Sequence, residues 1–253
     1  MNRRSSTSRL SASCAALLAV TGLALAGCGS ASSSSASSSS ASPASSSAAG
    51  SAGTSSGGSF TGTPLFPVAV GNTWVYQVTT VGIPGGTATD KVTAVVPAAG
   101  GDQVTTTHEF HGTTVQETLL FGSNGTISMP LPSLGSSTFK IRSGGIVWPS
   151  HAQIMSGHPY NSTVKATVTI AGQAHNVSTH VTVQGAGSAT VTVPAGTYHA
   201  TVIDDTLTEK FMGVSVGIRI RTWLAPGVGP VKSQVTTDGT TVSGEELKSF
   251  TKG

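Results

Sequence analysis

Two short clusters carry the side chains best suited to chemistry. His108-Glu109-Phe110-His111 offers two imidazoles and a carboxylate within four residues. Those are the residue types of a zinc site, but the zinc-binding helix needs its histidines four apart on one face. Here they are three apart in a stretch that alternates like a strand. That spacing sends the two rings to opposite faces, so no metal site is expected. The second cluster is Asp204-Asp205 with Glu209. Asp204 falls in phase with Tyr198 and Val202, and Asp205 with Ile203 and Leu207. A carboxylate on an apolar strand face can keep its proton and act as an acid. The commoner arrangement is an ion pair across the ladder, here with Arg219 or Arg221. His151, His158, His175, His180 and His199 stand singly. Ser162-x-x-Lys165 and Ser137-x-x-Lys140 match a motif that works only when Ser and Lys sit one helical turn apart, and both fall in strand-like sequence. Gly53-Thr54-Ser55-Ser56-Gly57 has the form of a hydrolase nucleophile elbow, without the strand before it or the helix after it that the elbow requires. No catalytic constellation emerges, no cofactor is implied, and the chain is expected not to be an enzyme.

The clearest chemistry lies near the start. Arg3, Arg4 and Arg9 precede an apolar run from Ala15 to Ala26. The run is too short to span a bilayer, which takes about 20 apolar residues, and it fits the core of a cleaved secretory leader. It ends in Leu25-Ala26-Gly27-Cys28, which resembles the lipobox of bacterial prolipoproteins. Small residues at Ala26 and Gly27 admit a peptidase, and the Cys28 thiol can form a thioether to diacylglycerol. Residues 1–27 are therefore expected to be a signal peptide cut between Gly27 and Cys28. Cys28 is expected to be lipidated and to hold the chain to the outer face of the cell membrane. At about 0.8 kcal/mol per buried methylene, two long acyl chains supply roughly 20 kcal/mol.

Removing the leader changes the charge. The precursor has 13 Lys and Arg against 10 Asp and Glu. Three arginines leave with residues 1–27, so the mature chain balances ten against ten. It has no basic stripe of the kind that nucleic-acid binding needs. The cysteines are Cys14 and Cys28 only. One departs and the other is acylated, so neither a disulfide nor a cysteine metal site is available to the folded part. Residues 28–59 are the lipidated cysteine and a tract of mostly Ser, Ala and Gly. That composition cannot bury enough apolar surface to fold. As a flexible tether it has an r.m.s. span of roughly 30 Å.

The elements that must position any site lie in residues 60–253, read as a single all-β domain. Trp74, Tyr76 and Val78 alternate with Gln77 and Thr79. Val104, Thr106, His108 and Phe110 alternate with polar partners, as do Val164, Ala166 and Val168, Val177, Thr179, Val181 and Val183, and Ile218, Ile220, Thr222 and Leu224. One apolar and one polar face per strand indicates a mainly antiparallel sheet solvated on one side. Ser123-Asn124-Gly125, Ser143-Gly144-Gly145 and Ala171-Gly172 read as hairpin turns. At most short helices are expected, at 150–158 or 244–250. About ten strands so connected suggest a strongly curved sheet, half-barrel or barrel-like. Two stretches echo each other: each opens on Gly-x-x-aromatic, at Gly71 and Gly157, and closes on Val-Pro-Ala, at Val96 and Val193. Trp74, Trp148 and Trp223 are expected as core anchors, or as the lining of a groove.

Three segments, Phe66-Pro67-Val68-Ala69-Val70-Gly71-Asn72-Thr73-Trp74-Val75-Tyr76, Val193-Pro194-Ala195-Gly196-Thr197-Tyr198 and Trp223-Leu224-Ala225-Pro226-Gly227-Val228-Gly229-Pro230-Val231, occur in an order that resembles the TapB-like exported lipoproteins. More remotely the chain is similar to the LolA, LolB and LppX type of curved, lipid-carrying sheet. The resemblance implies a membrane-anchored module that binds a hydrophobic or lipid-like molecule. A non-enzymatic envelope scaffold or protein-interaction module is the alternative. The bilayer is the expected partner, nucleic acid is not, and no ligand-binding residue is assigned.

Overall fold

The computed structural model describes residues 62–129, 139–170, 172–211 and 214–253. Cys28, the leader, the tether, residues 53–57, Ser137 and Ala171 lie outside the described residues. Two short strands come first, β1 (Gly62–Thr63) and β2 (Phe66–Pro67). Then follow β3 (Thr73–Thr80), β4 (Ile83–Ala98), β5 (Gly101–Phe110), β6 (Thr113–Gly122) and β7 (Ile127–Ser128). The next elements are β8 (Phe139–Ser143), β9 (Val147–Trp148) and a short helix α1 (His151–Met155). The chain ends with β10 (Tyr160–Ile170), β11 (Gln173–Val193), β12 (Gly196–Phe211), β13 (Val214–Ala225), β14 (Gly229–Thr237) and β15 (Thr240–Thr251).

Thirteen strands form one antiparallel sheet, in the order β8-β10-β11-β12-β13-β14-β15-β3-β4-β5-β6-β7-β9, and β1 pairs only with β2. Most neighbours are hairpin partners. The long-range exception joins the two ends of the domain: β15 pairs β3, with Leu247 opposite Tyr76 and Phe250 opposite Trp74. The expected alternation holds. Trp74, Tyr76 and Val78 are buried on β3, Val177, Thr179, Val181 and Val183 on β11, and Ile218 and Leu224 on β13. The inner face builds two apolar clusters. One gathers Trp74, Tyr76, Val92, Val104, Phe121 and Leu247; the other gathers Val164, Val181, Ile203, Leu207 and Ile218. Phe66 and Trp148 pack against both.

Three expectations need correction. The sheet is not a closed barrel: β8 and β9 are its two edges, each paired with a single neighbour. β8 pairs with β10 and β9 with β7, and among the described residues no ladder between β8 and β9 closes the ring. The Ser143-Gly144-Gly145 turn is accordingly not a hairpin. It leads from one edge strand to the other, with β8 ending at Ser143 and β9 starting at Val147. Gly144 has φ +81°, and a Cβ there would lie 1.8 Å from the Thr163 carbonyl oxygen, so only glycine fits. Residues 244–250 are strand, because Ser243, Glu245 and Leu247 are buried in alternation. The helix expected at 150–158 is present as α1. Ser150 caps it through a reciprocal bond with Gln153, which satisfies two of its free amides. It docks through Ile154 against β11 at Gly185, where a Cβ would meet the Ile154 carbonyl oxygen at 2.0 Å.

Candidate functional site

Five carboxylates lie in phase with the buried apolar residues of their strands. Asp90 follows Ala88 and precedes Val92 on β4. Glu117 precedes Phe121 on β6. Asp205 and Glu209 flank Leu207 on β12, and Glu245 precedes Leu247 on β15. His108, on β5 with Val104 and Phe110, joins them. Register sets Asp90 opposite His108 and Trp74 opposite Asp90, and it sets Glu117 opposite Thr106. Glu245, Tyr76, Asp90, His108 and Glu117 thus come from five successive strands, β15, β3, β4, β5 and β6.

Two adjoining cavities of about 90 Å³ each open on this face. The first is lined by Tyr76, Asp90, His108, Glu117, Phe121 and Trp148 among others. The second is lined by Tyr76, Trp148, Asp205, Leu207, Thr222 and Glu245 among others. Tyr76, Met129, Ile146, Trp148 and Pro230 border both. Apolar surface dominates each.

Burial and neighbouring charge set the proton affinities. His108 Nδ1 lies 2.6 Å from Asp90 Oδ1. That bond raises the imidazole pKa, against the opposing effect of burial. Burial pushes Glu117 up to about 7, helped by the Asp90 charge and opposed by His108. Burial pushes Glu245 up to about 8, again with Asp90 adding, while His108 and a bond from Ser233 oppose. Asp205 is pushed up to about 7 by burial, although Trp148 donates to its carboxyl. Burial also raises Glu209. One oxygen of Asp205, Oδ1, and one of Glu245, Oε1, are buried without a hydrogen-bond partner. The Tyr76 hydroxyl donates to the Pro230 carbonyl at 3.1 Å, and burial raises its pKa well above the ordinary tyrosine value.

The residues singled out in the sequence separate. Asp204 makes the cross-strand ion pair, on the outer face. Arg221 Nε and Nη2 donate to its two oxygens at 2.8 and 2.9 Å, and Arg219 Nη2 donates at 2.5 Å. The Arg221 bond, then Arg219, pull its carboxyl down to about 2 despite partial burial. Asp205 takes the other option, the acid on an apolar face. His108 is in the inner row, while His111 sits in an exposed turn at φ 50° with Nε2 at 3.2 Å from the Pro84 carbonyl oxygen. His151, His158, His180 and His199 are exposed and His175 is half-buried. Among the described residues no three His, Asp or Glu side chains are grouped to hold a metal ion. Ser162 and Lys165 both lie on β10, three residues apart and so on opposite faces. Trp74 is a core anchor, its indole donating to the Val228 carbonyl at 2.6 Å. Trp148 borders both cavities. Trp223 is half-buried against the first apolar cluster, with Lys232 Nζ 5.8 Å from its ring. Asp90, Glu117 and Glu245 were missed. Their phase with apolar neighbours was the available signal, and at Glu245 the expectation of a helix hid it.

No curated protein matches the chain by sequence. Among solved structures it is similar to a protein from Bacteroides fragilis assigned as exported, with a YmcC-like fold. The two share 18% identity and a TM-score of 0.52, over 74% of this chain and 98% of that one. It is also similar to a protein from Parabacteroides distasonis assigned as a lipoprotein, at 15% identity and a TM-score of 0.54, over 75% of this chain and 99% of that one. At such identities the likeness is one of fold. Sequence similarity proper extends from residue 70 on β3's approach to residue 247 on β15, the span of nearly the whole sheet with its inner acids, and over that span the chain matches, and belongs to, the DUF3108-like family.

Proposed function

We propose that this chain is an exported lipoprotein, anchored through Cys28, whose inner sheet face binds a small, largely apolar molecule. The observation that carries the reading is the pair of adjoining cavities, walled mainly by apolar side chains and divided by Tyr76 and Trp148. Their position supports a sheet bent around its own inner face. Thirteen flat strands at about 4.8 Å spacing would put the edges roughly 58 Å apart. Three connecting residues reach at most about 15 Å. Trp148, on edge strand β9, bonds Asp205 on β12, which agrees with such a bend. The cavities suit a compact molecule or one segment of a longer chain, rather than a whole lipid. The export and lipoprotein assignments of the similar structures and the lipobox-like Leu25-Ala26-Gly27-Cys28 support the location. The remote likeness to LolA, LolB and LppX supports the ligand class by analogy only. The role is binding rather than catalysis.

Two experiments test this. Solvent extraction of protein purified without detergent, followed by mass spectrometry, is expected to release an apolar small molecule in near-stoichiometric amount. Titration with 2-phenylethanol is expected to saturate at one site and to quench tryptophan fluorescence. Failure of both results ends the binding reading, and recovery of a specific envelope protein by crosslinking would then favour the scaffold. Cys28→Ser is expected to move the protein from the membrane to the soluble fraction.

A further inference from the structure

The inner face is predominantly acidic. Asp90, Glu117, Asp205, Glu209 and Glu245 point into it or line it, against two basic residues among those described, His108 at the first cavity and Lys232 at the second. Lys232 is paired with Glu246, and Arg219 and Arg221 are paired with Asp204. A fold that needed only stability would not keep this pattern, since a buried carboxyl without its full set of partners is costly. Asp90 has its partner in His108. Glu245 and Asp205 each have one oxygen without any, at 5% and 6% residue exposure, and both line the second cavity. Thr222, Ser233 and Lys232 also line that cavity, and most of the rest of it is apolar or aromatic, with the Tyr76 and Trp148 rings in its wall. Such rings attract a cation through their faces, and a free carboxylate oxygen accepts a charge-assisted hydrogen bond from an ammonium group.

We propose that the second cavity binds an organic amine, its ammonium group meeting the free oxygen of Glu245 or Asp205 and its apolar body lying against Trp148, Leu207 and Ile220. This rests on the binding reading above and adds the charge of the ligand to it. A carboxylic acid held protonated in the empty cavity would give up that proton to bulk solvent as the ammonium arrives. Bond for bond, the O–H of the acid is replaced by an N–H···O contact and one proton leaves. Raised proton affinities at Glu245 and Asp205 fit that exchange. The other groups facing the cavity from neighbouring strands are Lys232 on β14, Glu209 on β12, Tyr76 on β3, and beyond it Asp90, His108 and Glu117. Asp204 acts from the outer face. The Lys232 ammonium is held by Glu246 Oε1 at 2.7 Å, and Asp205 Oδ1 and Glu245 Oε1 keep no hydrogen-bond partner.

Calorimetric titration with three probes of one shape tests the proposal: phenethylamine, 2-phenylethanol and 3-phenylpropanoate. At pH 6.5 phenethylamine is expected to bind at least tenfold more tightly than 2-phenylethanol, and 3-phenylpropanoate not at all. Repeating the amine titration in buffers of different ionisation enthalpy is expected to show close to one proton released per amine bound. At least one of the isosteric variants Glu245→Gln and Asp205→Asn, checked for folding by circular dichroism, is expected to weaken phenethylamine tenfold while leaving 2-phenylethanol within twofold. Equal affinity for amine and alcohol overturns the amine proposal and leaves the apolar-binding reading standing, as does amine binding without proton release. Absence of binding by both overturns the amine proposal, and with an empty solvent extract it ends the binding reading as well.

Discussion

The outer and inner faces of β12 carry the same residue type at consecutive positions, and the two carboxyls behave in opposite ways. Asp204 faces Arg219 and Arg221, which pull its pKa down to about 2. Asp205 faces an apolar cavity and a single indole donor, and burial pushes it up to about 7. The contrast extends across the sheet. The outer face pairs Asp204 with arginines, and Glu246 pairs with Lys232, in the half-exposed setting where ion pairs contribute little. The inner face collects acids and leaves two of their oxygens unpaired. Proton affinity here follows from the face a residue lands on, not from its identity.

Substitutions and pH can break or sharpen that contrast. The largest effect is expected from Trp148→Ala. It empties a side chain that packs on both apolar clusters and takes the donor from Asp205, and losses of about 3–5 kcal/mol accompany such truncations. Urea unfolding of the variant against the parent measures it. A loss below 1 kcal/mol would mean that Trp148 does not join the two halves of the inner face.

The pH profile comes next. Glu117, Asp205 and Glu245 hold protons in the fold up to about 7, 7 and 8, and release them near pH 4 when unfolded. Between those limits the folded state binds more protons than the unfolded one, so stability falls as pH rises. His108, raised in the fold by Asp90, acts in the same direction. Its contribution is complete below about pH 6.5 and is lost as pH climbs through its folded value. Asp204, lowered to about 2, stabilises above about pH 4, and that share is lost as pH falls toward 2. Stability is therefore expected to peak near pH 4–5 and to decline by a few kcal/mol, on the order of what buried acids cost, by pH 8.5. Melting temperatures across that range test it. The double variant Asp205→Asn with Glu245→Gln is expected to flatten the decline, and an unchanged slope would refute the inner-acid account.

Asp204→Asn should cost about 0.5–1 kcal/mol at pH 7 and remove part of the stability gained between pH 2 and 4. Lys232→Ala, which loses a half-exposed ion pair with Glu246 and a contact with Trp223, should change stability by no more than about 0.5 kcal/mol. If either substitution matched Trp148→Ala, the difference between the faces would disappear.

Much of the architecture is visible in particular residues before any fold is known. Trp74, Tyr76 and Val78 fall inward and Gln77 outward because side chains alternate along a strand. Asn124-Gly125 marks a true hairpin, with Phe121 opposite Ile127 and Gly125 at φ +80°. Ser143-Gly144-Gly145 looks the same locally and is not one. Turn residues report a change of direction, not which strand is met next. Glu245 was obscured by a helix-like composition at 244–250. Its burial depends on β15 pairing with β3, more than 160 residues away in the chain, and no local pattern encodes that partner. His108 and Asp90 each lie in phase with apolar neighbours, but their contact needs the register between β4 and β5.

By itself the sequence determined the leader-like start, the lipobox-like Leu25-Ala26-Gly27-Cys28, the Ser, Ala and Gly composition of the stretch after it, and which side of most strands faces inward. These are properties of one residue and its near neighbours, and alternation alone expresses them. Only the tertiary structure decided that β15 closes onto β3, that five strands align Glu245, Tyr76, Asp90, His108 and Glu117, and that Trp148 from one edge bonds Asp205 in the other half. Those outcomes depend on contacts between segments far apart in the chain. A carboxyl's proton affinity depends on the dielectric and the partners that such contacts bring, so the chemistry of the inner face came into being with the sheet's order.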